Sequence, residues 1–145
     1  MTTEVIEHPL TLEVYGFSGV ALDKDYAGMA FQLSGKMWNL LKPLGIKNKG
    51  RNIWVYEDGD QVFAGVELDQ IAPTQSGLEH KTISLPRYAY YKHVGPYGLI
   101  AHAGGKMQDE IKLNGYVQAL PYIEIYGHWV NDESQLETEL ISAIR

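Results

Sequence analysis

The sequence has no cysteine, which excludes disulfides, thiolate zinc sites and a thiol nucleophile. It has no apolar run approaching the roughly 18 residues that cross a bilayer, and Met1-Thr2-Thr3-Glu4 lacks signal-peptide character. A cytoplasmic protein with no membrane contact is the expectation. Positive charge is scarce and scattered, with 12 lysines and arginines against 18 acids and a net charge of −6. The longest basic stretch, Lys47-Asn48-Lys49-Gly50-Arg51, reads as a solvated loop, so direct nucleic-acid binding is not expected. No two histidines have zinc-ligand spacing and there is no H-E-x-x-H, so neither a metal nor a cofactor is expected. No Gly-x-Ser-x-Gly elbow supplies a serine nucleophile. Gly104-Gly105-Lys106 lacks the upstream glycine and the following Ser/Thr of a phosphate loop; inside a helical stripe, the glycines predict close helix packing instead.

What is present is one domain's worth of chain, 145 residues of which 45% are hydrophobic. Residues 1–9 read as a lead-in ending at His8-Pro9, and Leu10 to Phe17 as a strand. Asp23 and Asp25 offer N-cap chemistry for a helix whose stripe is Ala30, Leu33, Met37, Leu41 and Leu44. Trp38 flanks that stripe, Pro43 is expected to disturb its last turn, and Gly45 is a C-cap. Ile53 to Tyr56 and Gln61 to Leu68 form a hairpin around Glu57-Asp58-Gly59-Asp60. Residues 69–77, with Pro73, Ser76 and Gly77, read as the linker between two modules. A strand through residues 81–93, interrupted at Pro86, then opens the second module. Its helix carries Ile100, Ala103, Met107 and Ile111 ahead of Gly115, and two strands follow, the last from about Leu136 to Ile144.

The two modules superpose at an offset of 70 residues. Gly35-Lys36-Met37 falls on Gly105-Lys106-Met107, Lys42 and Gly45 on Lys112 and Gly115, and Ile53 and Tyr56 on Ile123 and Tyr126. Residues 28–56 carry eight identities at this offset, where ordinary composition gives roughly two. The predicted architecture is α+β: two strand-helix-strand-strand units, about residues 10–70 and 78–145, related by a pseudo-twofold. They form one antiparallel sheet carrying two main helices in a single domain, because one unit alone buries its helix poorly.

Within Pro121 to Tyr126, strand alternation puts Ile123 and Ile125 on one face and Tyr122, Glu124 and Tyr126 on the other. A buried carboxylate is expensive unless it accepts hydrogen bonds or meets a cation. The repeat places Trp54 at the position equivalent to Glu124, so the fold itself does not require an acid there. Glu124 is therefore the central candidate. Tyr126, Tyr56 and Trp54 follow from the shared face, with Tyr122 expected at the rim after the proline. Trp38 is placed to reach the same site or to cap the core.

His93-Val94-Gly95-Pro96-Tyr97 resembles the H-x-G-P-Y opening of the second helix in the GyrI-like family, and Ile123-Glu124-Ile125-Tyr126 resembles that family's glutamate strand. The resemblance covers about residues 10–145. The family includes effector-binding domains of multidrug-sensing bacterial transcription activators and stand-alone proteins. It implies a hydrophobic, aromatic pocket between the halves, with Glu124 in it and Tyr97 brought by the motif. It also implies a lipophilic cation as partner. Some relatives imply hydrolysis of cyclopropane-bearing genotoxins by the same glutamate, and others a gyrase-inhibitor-like contact with a protein. Binding module, hydrolase and interaction protein are the three readings carried forward.

Overall fold

Local chemistry sets both ends of the first helix. The structure, a computed structural model, describes residues 3–72 and 74–145; Met1, Thr2 and the linker's Pro73 lie outside the described residues. The Asp25 carboxylate accepts from the Gly28 backbone N–H at 3.1 Å and starts α1 (Tyr26–Leu44). Gly45, at φ 63°, ends it in the left-handed conformation that glycine adopts without steric penalty. Pro43 does not break the helix, which continues through it for one more residue. A second helix, α2 (Ile100–Leu113), follows a single 3-10 turn at Tyr97–Leu99. No helix among the described residues is long and apolar enough to cross a membrane.

Among the described residues, eight strands form one antiparallel sheet: β1 (Glu4–Ile6), β2 (Leu10–Val20), β3 (Asn48–Glu57), β4 (Gln61–Leu68), β5 (Glu79–Leu85), β6 (Tyr88–Val94), β7 (Gln118–Tyr126) and β8 (Glu137–Ile144). Their order across the sheet is β1-β6-β8-β7-β3-β4-β2-β5. Outward from the β7–β3 centre, one arm runs β7, β8, β6 and ends on β1, and the other runs β3, β4, β2 and ends on β5, so three strands of each half are completed by the first strand of the other half. Two expectations are corrected here. The lead-in contains β1, which pairs with β6; and residues 81–93 are not one interrupted strand but β5 and β6, in opposite arms. Pro86 and Pro9 lack the N–H that would continue a ladder, and at each the chain leaves one arm and enters the other.

One face of the sheet carries both helices. α1 buries Ala30, Leu33, Met37 and Leu41 against Phe17, Val62, Ala64 and Val66 of β2 and β4. α2 buries Ile100, Ala103, Met107 and Ile111 against Ala89, Tyr91 and Leu140 of β6 and β8. Among the described residues the opposite face has no helix, yet Leu12, Val14, Ile53, Val55, Ile123 and Ile125 are all buried there. The sheet accomplishes this by curling on itself. Lys81 of β5 reaches Glu57 of β3 at 2.5 Å, although these strands are three apart and roughly 14 Å from each other in a flat sheet. Gly16 and Gly65, paired across β2 and β4, allow the tight approach: a Cβ on Gly16 would lie 2.0 Å from the Ala64 carbonyl oxygen.

Candidate functional site

The helices cover the two arms and leave the sheet's centre uncovered, so the helix-side residues of β3 and β7 become the floor of a cavity of about 1690 Å³. Register fixes what meets there: Trp54 lies opposite Glu124, and Tyr56 opposite Tyr122. Alternation sends Ile123 and Ile125 into the core of the curled face and raises Glu124 and its flanking tyrosines into the cavity.

Glu124 is 9% exposed. The Tyr122 hydroxyl donates to its Oε2 at 2.9 Å and the Tyr126 hydroxyl to its Oε1 at 2.6 Å. Among the described residues, no lysine, arginine or histidine is ion-paired with it. Burial, and then the charge of Glu124, push the Tyr56, Tyr122 and Tyr126 hydroxyls well above the ordinary phenol range. All three thus remain neutral, and the two that bond the carboxylate serve as donors to it. Aromatic packing fixes the arrangement. Trp54 meets Tyr126 edge-on at 4.7 Å, Tyr97 meets Tyr126 edge-on at 5.5 Å, and Tyr56 stacks on Tyr122 at 5.9 Å. The arrangement is a cavity floor with one buried carboxyl group held by two phenols and framed by aromatic rings.

Five of the six residues singled out from sequence line this cavity: Glu124, Tyr126, Trp54, Tyr56 and Tyr97. Trp38 does not. Its indole N–H donates to Asn52 Oδ1 at 2.7 Å and its ring packs into the α1 core, so it caps that core. Tyr122 is not a rim residue, because its hydroxyl bonds the central carboxylate. Gly104 and Gly105 do not serve close helix packing; both line the cavity, and a Cβ on Gly105 would have nothing within 4 Å. His93 is buried and its Nε2 lies 3.0 Å from the Pro96 carbonyl oxygen, fixing the turn that presents Tyr97. Phe31 and Trp129 also line the cavity, and sequence reasoning missed both. The available signal was a phenylalanine off the stripe of an amphipathic helix and a tryptophan in a polar connection.

No protein-family model matches the sequence, and no curated protein does. Solved structures do match. The C-terminal domain of EcmrR superposes with a TM-score of 0.72 at 14% identity, covering 100% of this chain and 99% of that one. The chain has the GyrI-like fold. It spans 56% of the EcmrR chain in a complex with DNA, at a TM-score of 0.67 and 14% identity. SAV2435 bound to tetraphenylphosphonium also shares the GyrI-like fold, with a TM-score of 0.67, 13% identity and coverage of 100% and 94%. A hydrolase from Listeria innocua has a TM-score of 0.57 at 12% identity, covering 99% of this chain and 92% of that one.

Proposed function

We propose that the chain binds lipophilic organic cations in the central cavity, with Glu124 as counter-charge, and holds them without turnover. The observation that carries this reading is that Glu124 is the one buried carboxylate among the described residues and is bonded by phenols without a cationic partner. A buried carboxylate lacking a cation is costly, and a bound cation offsets that cost while its apolar groups meet the surrounding rings. Each aromatic face adds about 0.5–2 kcal/mol for a cation placed over it. The same-fold protein SAV2435, bound to tetraphenylphosphonium, supports the ligand class.

Tetraphenylphosphonium is the probe. It should raise the melting temperature of the wild type in a concentration-dependent way, and should not raise that of Glu124→Gln. An equal rise with a neutral triaryl analogue would overturn the counter-charge reading. A carboxylate beside neutral phenols also has the parts for general-base hydrolysis of a strained electrophile. Here, however, both carboxylate oxygens already accept hydroxyl donors, which suits holding a charge better than activating water. Incubation with a cyclopropane-bearing electrophile should therefore yield no hydrated product by mass spectrometry; its appearance, and its loss in Glu124→Gln, would establish the enzyme instead.

A further inference from the structure

One polar side chain on the cavity floor is oriented by groups that lie outside the cavity. Asn52 shares its face of β3 with Trp54 and Tyr56, stands opposite Tyr126 of β7, and lines the cavity. Its Oδ1 accepts from two donors on α1, one helical turn apart: the Trp38 indole N–H at 2.7 Å and the Ser34 hydroxyl at 3.3 Å. An indole N–H can only donate, so the amide atom facing it is the oxygen and the nitrogen occupies the other branch. With the oxygen turned to α1, which walls one side of the cavity, the NH2 group turns away from that wall and over the floor. Among the described residues it makes no hydrogen bond of its own. The other N–H donor that β3 brings to this face, the Trp54 indole, is buried without a partner and shut away from a guest. Asn52 is only half-buried, so its two N–H groups remain open to water or to an acceptor on a guest.

We infer that Asn52 is a specificity-determining hydrogen-bond donor that selects guests carrying an acceptor: an ester, amide or ether oxygen, or a pyridine-type nitrogen. The inference rests on the binding reading above and adds to it the polar group that the guest carries. Asn52 lies diagonal to Glu124 across the β3–β7 pair, about 7–8 Å away. A guest charged at one end meets Glu124 with its charge and Asn52 with an acceptor several bonds along. A guest without an acceptor strips water from the amide and leaves its N–H groups unpaired, a cost that an acceptor-bearing guest avoids. Because Trp38 and Ser34 hold the oxygen, the amide cannot turn that oxygen inward to suit a donor. The position therefore distinguishes acceptors from donors as well as from plain hydrocarbon.

The test is titration calorimetry with three guests of one shape. Benzoylcholine has both charge and ester, phenylbutyltrimethylammonium has the charge without an acceptor, and neohexyl benzoate has the ester without a charge. The proteins are wild type, Asn52→Asp, Trp38→Phe and Glu124→Gln. Asn52→Asp keeps an oxygen for the Trp38 N–H and replaces the donor by an acceptor. Wild type should bind benzoylcholine about two- to tenfold more tightly than phenylbutyltrimethylammonium, the worth of one neutral hydrogen bond. Asn52→Asp should abolish or invert that ratio, and Trp38→Phe, which frees the amide to flip, should reduce it. Equal affinity for the two cations in wild type, an unchanged ratio in Asn52→Asp, or an equal loss of both cations there overturns the inference. Should Asn52→Asp fail to fold, an unchanged ratio in Trp38→Phe overturns it instead. The counter-charge is read separately: Glu124→Gln should weaken both cations and leave their ratio intact. If neohexyl benzoate binds wild type as tightly as benzoylcholine, and Asn52→Asp loses both esters, the counter-charge falls and the donor stands. Absence of binding by all three guests removes both.

Discussion

The hydroxyls of Tyr122 and Tyr126 each hold one oxygen of Glu124, and that has a consequence for pH. A phenol whose folded pKa lies above its unfolded value stabilises the fold fully below the unfolded pKa, and that contribution is lost as pH rises through the folded one. Tyr56, Tyr122 and Tyr126 are all raised, by burial first and by the Glu124 charge second. Their contribution should hold up to about pH 10 and fall above it. Tyr126→Phe should flatten part of that alkaline decline. It should also destabilise at neutral pH by about 1.5–3 kcal/mol, the worth of a hydrogen bond to a charged group. Calorimetry across a pH series checks both, and an unchanged alkaline profile in the variant would count against the assignment. At this scale the sequence was informative where alternation and the 70-residue repeat together decide the face: strand parity groups Glu124 with Tyr126 and Trp54 with Tyr56, and the repeat sets the two pairs in equivalent positions. Trp38, Phe31 and Trp129 were not legible in this way, because whether an aromatic beside a stripe or in a loop meets core, water or a cavity depends on elements distant in the chain.

The helices were legible almost to the residue, since Asp25, Gly45 and Gly115 act on their own neighbours. Of the edge strands, β1 was not, and β5 was legible only as the first part of one strand interrupted at Pro86 rather than as an edge of the other arm. β1 is three residues long and β5 ends at a proline; what makes each a strand is a partner in the other half. The glycines of α2 were visible but their purpose was not, because the space beside them exists only once the helices straddle the sheet. Gly105 faces nothing within 4 Å and has no left-handed φ, so Gly105→Ala should stabilise by roughly 0.5–1 kcal/mol. That corresponds to a rise in melting temperature of about 2–4 °C. Gly104 lies closer to the floor, its Cβ position 3.7 Å from the Tyr122 hydroxyl. Gly104→Val should therefore reduce tetraphenylphosphonium binding, whereas Gly105→Ala should leave it nearly intact. Equal binding by both variants, measured by calorimetry, would mean that α2 does not limit the cavity.

For the molecule as a whole, the symmetric order of strands puts the cavity at the join between the halves, where the 70-residue offset brings Trp54 and Glu124 face to face. The sequence supports two similar units but says nothing of how their first strands are shared. Because β1 finishes the arm built on α2 and β5 finishes the arm built on α1, the halves are interlocked rather than merely adjacent. Cutting the chain within residues 69–77, between β4 and β5, should leave two fragments that are each incomplete alone. Mixed, they should recognise each other and rebuild the sheet, recovering the circular dichroism of the intact protein and a single melting transition. Cooperative folding of residues 74–145 in isolation would show that the exchange is dispensable. If the fragments do reassemble, a ligand seated on the join would act as a clasp, tightening the association of two pieces that no covalent bond connects.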